Sequence, residues 1–317
     1  MTQGQGRGEF RLGVAGAGRM GRTHLAAIAG SELITVAGVA EPDPGAAAAA
    51  AAVTGAPVTA SLDELLTAGG LDGVLIAVPT DRHLEVAGRV LAAGLPVLCE
   101  KPCGLTARQA ARCAELAAAA GLPLQVAYWR RFVPELTALR ERMLGGEFGE
   151  VLAVNCYQWD AAPPPVAFRA ASGGIFADMG VHEFDQVRWL TGQEFGPVRV
   201  ASARPGGGAA GDGDGDGPGD PDCAQLVAEL DGGGTALVSL GRWHPAGDIC
   251  RVEAFGTKGT ESIPFLRPED GDLVFRQALL AQAEDFARSV TTGRAGTGAT
   301  AADAIAALRI AEQASNR

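Results

Sequence analysis

Up to residue 125 the chain alternates short apolar runs with Ala- and Leu-rich stretches whose apolar positions repeat at helical spacing. The apolar runs fall at 12–15, 34–39, 74–78, 96–99 and 124–127, and the helical stretches at 20–29, 46–53, 61–68, 84–92 and 107–119. Short strands separated by helices of this length predict βαβ units in a parallel, doubly wound sheet. Gly94 and Gly121 stand where helix C-caps belong. After a helix near 131–144 the rhythm changes. Apolar stretches at 151–159, 198–203, 223–230, 235–243, 249–255 and 260–265 follow, with only turns between the later ones. DGGG at 231–234 and GTKG at 256–259 read as hairpin connections, which predicts an antiparallel sheet. One helix over 175–190 interrupts it, and helices over 273–290 and 300–314 close the chain. The fold class is α/β: a doubly wound parallel sheet over 1–125, then an α+β domain over 126–317 with a large open antiparallel sheet.

Composition narrows the classes of function. A length of 317 residues fits two domains of common size, and 47% hydrophobic with 20% charged residues is globular composition. The polar start MTQGQGRGEF has no apolar core of a signal peptide. No apolar stretch approaches the ~20 residues that span a bilayer, so a soluble, cytoplasmic protein with no membrane partner is expected. A net charge of −11 without a basic patch repels phosphate backbones, and nucleic acid is not an expected partner. Six scattered cysteines, none in a CxxC pair, read as reduced and mostly buried, and no metal is expected. The Gly/Asp-rich segment 204–222 should be a mobile surface loop. Its DGDGDG mimics the start of a calcium loop, but the twelfth position from Asp212 is Cys223, where a bidentate Glu is needed.

The first chemical constellation is Gly16-Ala17-Gly18-Arg19-Met20-Gly21, a GxGxxG run between an apolar strand and a helical pattern. Alone it is weak in a chain with 45 glycines; Glu41, twenty residues beyond Gly21 at the next strand end, raises it sharply. Gly16 makes the tight turn, Gly18 lets the backbone approach a pyrophosphate, and Gly21 lets helix and strand pack closely. The helix start then offers free N–H groups to the phosphates. Glu41 suits the two adenosine-ribose hydroxyls and would repel a 2′-phosphate, and Pro-Asp-Pro at 42–44 offers no cation to receive one. NAD is the expected cofactor.

The second constellation lies in VLCEKP, 97–102, at the C-terminal end of the apolar run over 96–99, where ligands collect in open α/β sheets. Of 26 basic residues only Lys101 and Lys258 are lysines. An amine kept at this place in an Arg-biased chain points to chemistry that a guanidinium cannot perform. The third is GGIFADMGVHEFD, 173–185. Asp178, His182, Asp185 and Trp189 fall at i, i+4, i+7 and i+11, one stripe of a helix. A purely packing stripe would be apolar; this one reads as a catalytic face.

GVAGAGRMGRTH, VPTDRHLEVAGRVLAAGLPVLCEKP, YWRRF and SGGIFADMGVHEFDQVRWLTG, in this order and spacing, resemble the Gfo/Idh/MocA oxidoreductases over nearly the whole chain. Within the family the chain is most similar to inositol 2-dehydrogenases, chiefly through RRF, DAAPPP and SGGIFADMGVHEFD. The resemblance implies a Rossmann domain, an α+β partner domain and assembly as a homodimer or homotetramer. It implies Lys101, Asp178 and His182 as the catalytic trio, with Thr80 and Glu100 on the nicotinamide side. Arg19, Met20, Pro79, His83 and Lys101 complete the cofactor set, His83 and Cys103 being read as packing rather than reacting. His182 is expected as general base, Lys101 as hydrogen-bond donor to the substrate oxygen, and Asp178 as orienter of hydroxyls or of the His182 tautomer. Trp129, Arg131, Asp160 and Asp185 are expected in the pocket wall. The chain departs from the inositol enzymes at Trp129, at Val133 before Pro134, at Gly247 before Asp248, and in a shortened segment over 263–273. These departures bear on which polyol or sugar is the substrate. A reductase of a keto or imino cyclitol would use the same residues. A non-catalytic NAD-binding regulator would not need Lys101 and His182.

Overall fold

The computed structural model describes residues 10–203 and 220–316; most of the loop expected over 204–222 lies outside them. The first half runs β1 (Phe10–Ala15), α1 (Arg19–Ile28), β2 (Ile34–Ala40), α2 (Pro44–Thr54), β3 (Val58–Thr59), α3 (Leu62–Ala68), β4 (Gly73–Ile76), α4 (His83–Ala92), β5 (Val97–Glu100), α5 (Ala107–Ala120) and β6 (Leu124–Ala127). These strands pair in parallel in the order β6-β5-β4-β1-β2-β3. Their period-2 alternation sorts the core. Phe10, Leu12, Val14, Leu75 and Leu98 enter one buried cluster, while Val74, Ile76, Val97, Cys99 and Val126 enter the other. Both faces are covered, as a parallel sheet requires. Local signals set the helix ends: Asp43, Ser61 and Thr106 side chains cap α2, α3 and α5, and Gly55 and Gly121 end α2 and α5 at left-handed φ.

The second half runs α6 (Pro134–Leu144), β7 (Val151–Trp159), α7 (Val166–Ala171), α8 (Val181–Thr191), β8 (Phe195–Ala203), β9 (Cys223–Leu230), β10 (Thr235–Gly241), β11 (Ile249–Gly256), β12 (Thr260–Leu266), α9 (Gly271–Thr292), β13 (Ala299–Thr300) and α10 (Ala301–Ser315). The second sheet, β12-β11-β7-β10-β9-β8, is mixed and not purely antiparallel. The β7–β10 pair is parallel, with Thr235 opposite Ala153 and Gly241 opposite Trp159. Alternation reveals a strand but not its neighbour, and β10 reaches β7 only after two hairpin strands and two helices have intervened. One face of this sheet buries Val154, Leu226, Val238 and Val252 in the core; the opposite face carries Val227, Leu237, Arg251 and Phe255.

Residue 126 lies inside β6, and the chain beyond it returns to the first sheet. β13 pairs antiparallel with β6, and Phe286 of α9 packs edge-on against Phe10, ring centroids 5.9 Å apart. The helix expected over 175–190 is two pieces, a π-helical turn over Phe176–Gly180 followed by α8. That over 131–144 starts only at Pro134, after a 3₁₀ turn over Trp129–Phe132. Among the described residues no helix is long and apolar enough to cross a membrane.

Candidate active site

The cofactor cradle forms where β1 gives way to α1. Gly16 adopts φ +94°, and a Cβ there would stand 2.6 Å from the Ala77 carbonyl oxygen. A Cβ on Gly21 would come within 2.1 Å of the Gly16 oxygen, whereas one on Gly18 would meet nothing within 4 Å. Two glycines thus serve chain packing and the third faces open space, the arrangement a pyrophosphate needs. Unlike α2, α3 and α5, α1 has no side-chain cap; its first turn also holds no acidic residue, so its N–H groups stay available to an anion. Arg19 is exposed beside it and Met20 half-buried. Glu41, just past β2, holds the loop: its carboxylate accepts from the Ala17 and Asp43 N–H groups at 2.6 and 2.9 Å. Two bonds leave acceptor capacity for ribose hydroxyls, since a carboxylate offers about four lone-pair positions. The residues present fit a dinucleotide.

The ends of β4 and β5 bring the nicotinamide-side candidates together. Pro79 is exposed and Thr80 half-buried in the turn after β4. His83 is buried, its Nδ1 2.8 Å from the Pro102 oxygen and its Nε2 2.9 Å from the Val78 oxygen, so it staples the two turns. Packing is where the structure places it. Glu100 is 6% exposed. Burial raises its carboxyl, but His24 and Lys101 outweigh that and hold it below the ordinary value.

Lys101 and Asp178 come from the two halves of the chain and meet. The Lys101 Nζ donates to the Asp178 backbone oxygen at 2.7 Å and to its Oδ1 at 3.2 Å. The π turn supplies both acceptors at one place, a frequent role for such turns at functional sites. His182 follows at the start of α8, 7% exposed, with Nδ1 enclosed and unpartnered. Burial first, then the positive charges of Lys101 and Arg130, push the imidazole well below its usual value, so it is neutral near pH 7. Its ring lies edge-on to Tyr128 and Trp129, at centroid distances of 5.9 and 6.4 Å. The Asp178 carboxylate is bonded to Lys101, and among the described residues no bond joins it to His182. Of its two expected tasks, fixing the His182 tautomer has no contact behind it.

Asp160, at the end of β7, shares this field. Burial raises its carboxyl to about 6; the Gln158 amide opposes the rise, and the negative charges of Asp248 and Asp178 add to it. Trp129 packs on Phe275 and Phe265, ring centroids 4.9 and 6.1 Å away. Arg131, expected in the pocket wall, is found in a buried ion-pair cluster. It donates to both Asp185 oxygens, at 2.9 and 2.5 Å, and reaches Asp303 at 3.2 Å, leaving its buried guanidinium committed. Asp185 is likewise consumed by that pair.

Sequence reasoning passed over His24, Tyr128 and the buried Arg130–Glu183 pair, 2.6 Å apart. Their signal was present: Glu183 beside His182, and paired arginines in YWRRF, of which Arg130 is the one whose charge reaches His182. Arg130 also donates to Gln158 at 2.8 Å, and so sets the amide that faces Asp160.

Residues 10–128 match the family model described as oxidoreductase family, NAD-binding Rossmann fold, and residues 136–261 match that of the GFO/IDH/MocA C-terminal domain. The chain is 48% identical to the rhizopine catabolism protein MocA of Rhizobium meliloti, over 96% of this chain and 94% of that one. It is 34% identical to an inositol 2-dehydrogenase of Rhizobium meliloti strain 1021, over 81% and 76% of the two chains. A crystal structure of a myo-inositol dehydrogenase from Corynebacterium glutamicum superposes with a TM-score of 0.85 at 27% identity, covering 96% of this chain and 95% of that one. With the glycine cradle and the Lys101–Asp178 contact described, the protein belongs to the Gfo/Idh/MocA family and is an NAD-binding oxidoreductase.

Proposed function

We propose that the protein is a dehydrogenase that oxidises a secondary hydroxyl on a cyclitol or sugar ring with NAD. The observation that carries this is the meeting of Lys101 and Asp178 across the two halves of the chain, beside a neutral His182. NAD, when bound, supplies the hydride acceptor. His182 receives the hydroxyl proton; Nδ1 is enclosed, which leaves Nε2 as the accepting atom. Lys101 donates a hydrogen bond to the substrate oxygen as negative charge develops there. Asp178 holds the ammonium in place and has a second oxygen for a neighbouring hydroxyl. Reduction of the matching ketone runs through the same groups in reverse.

The Asp160 carboxyl feels two other carboxylates, Asp248 and Asp178, against the one ammonium of Lys101. That balance, with the similarity to a rhizopine catabolism protein, favours testing aminated rings beside plain ones. The test is NADH formation across inositol isomers, aminocyclitols and aldoses. Turnover of a cyclitol supports the reading, with myo-inositol a poorer substrate than another isomer or an amino derivative. No NADH from any ring, with NAD binding intact, would make the protein a binding module. Assembly as a homo-oligomer is part of the same reading, supported by the open face that carries Val227 and Phe255 at 45% and 39% exposure.

A further inference from the structure

His24 is a buried histidine that the mechanism above does not use. It lies on α1, the helix that begins beyond Gly18, and is 0% exposed. Its Nε2 stands 2.6 Å from Glu100 Oε1. The other oxygen, Glu100 Oε2, accepts the backbone N–H of Lys101 at 3.0 Å. An ionised carboxylate can only accept, so Nε2 carries the proton of this contact. Keeping a charge at this depth is costly unless it is paired and hydrogen-bonded. Two donors meet that need, one from the helix behind the cofactor and one from the turn that carries the catalytic amine.

We propose that His24 is a positioning residue for Lys101: through Glu100 it fixes the turn from which the ammonium reaches Asp178, and ties that turn to the cofactor helix. This rests on Lys101 acting at the substrate oxygen, as proposed above. Lys101 is then held at both ends, its backbone N–H on Glu100 and its Nζ on Asp178. A shift of α1 moves His24, and with it the orientation of the amine.

The consequence is a specific pH dependence. The groups recorded around the Glu100 carboxylate are His24, from α1, and Lys101, from its own turn; burial opposes its ionisation. Without the His24 donor, Glu100 keeps its proton to a higher pH, and the Lys101 N–H loses a charge-assisted acceptor on the acid side. Raising the pH ionises Glu100 and restores it.

The experiment measures kcat against pH for the wild type, His24→Leu, His24→Gln, Glu100→Gln and Lys101→Met, with NAD affinity by calorimetry. His24→Leu should fall about tenfold or more below wild type at the acid end and return to within about threefold at the alkaline end. His24→Gln, which keeps an N–H near the Nε2 position, should stay within about threefold throughout. Glu100→Gln should be depressed at every pH, having no carboxylate to ionise. A His24→Leu profile parallel to the wild type, while Lys101→Met is inactive, overturns the proposal and leaves the catalytic reading standing. If His24→Leu does not fold, wild-type kcat in Glu100→Gln overturns it instead. Full activity in Lys101→Met removes the reading on which it rests, and the proposal with it.

Discussion

His182 is an imidazole kept neutral by its surroundings, and Lys101 an amine fixed by a backbone oxygen and a carboxylate. In the proposed alcohol oxidation each serves one half. His182→Ala and Lys101→Met should each lower kcat by about 10²–10⁴-fold while NAD affinity stays within a few-fold, since the adenosine end is remote from both. The double variant should lose less than the product of the two, because both groups serve one proton transfer. Asp160 carries a stability cost of its own. Its folded carboxyl is raised from 3.8 to about 6, so the folded chain holds a proton that the unfolded chain has lost. The resulting loss of stability is absent below the unfolded value, grows as pH rises between the two, and is complete above the folded one. Asp160→Asn should therefore stabilise the protein at pH 7 by about 1–3 kcal/mol, a gain that shrinks towards pH 4. Melting curves across that range check the sign, and the same variant should lose turnover.

At the scale of elements, the site is assembled by pins between pieces that sequence shows only separately. Arg131 joins the 3₁₀ turn over Trp129–Phe132 to Asp185 on α8 and Asp303 on α10. Arg131→Leu strands a buried Asp185 carboxylate and should cost about 3–5 kcal/mol in denaturant unfolding, with little change in substrate KM for the folded fraction. A large KM change with intact stability would return Arg131 to the pocket wall. Much of this level was legible beforehand. The glycine run, Glu41 at the next strand end and the EKP turn follow from local rules, because cofactor and strand-end chemistry is written within a few residues of itself. Three features were not local. Whether β10 meets β7 in parallel depends on the path between them. The return of α9 and β13 to the first sheet is a contact across more than half the chain. The purpose of Arg131 was hidden because a buried ion pair and a substrate clamp use the same residue type, and only the position of Asp185 distinguishes them.

At the scale of the whole molecule, two sheets belong to the two halves of the chain, and Lys101 of one half meets Asp178 of the other. The outer face of the six-stranded sheet leaves Val227, Leu237 and Phe255 without a covering layer from the described residues. A second copy of the chain placed there would bury them, so Val227→Glu with Phe255→Glu should shift sedimentation towards the monomer. An unchanged oligomer would locate the contact elsewhere. Glu41 with its acidic neighbourhood should favour NAD over NADP by at least about tenfold, roughly 1.4 kcal/mol. Equal dissociation constants by calorimetry would remove Glu41 from that role. If hydride leaves a ring carbon of the substrate, as proposed, deuterium placed on the oxidised carbon of an accepted cyclitol or sugar follows it directly. Mass spectrometry of the reduced cofactor should find the label in NADH formed by the wild type, and at least about 10²-fold less labelled NADH from Lys101→Met in the same time. Unlabelled NADH, or equal labelling by Lys101→Met, would contradict the account.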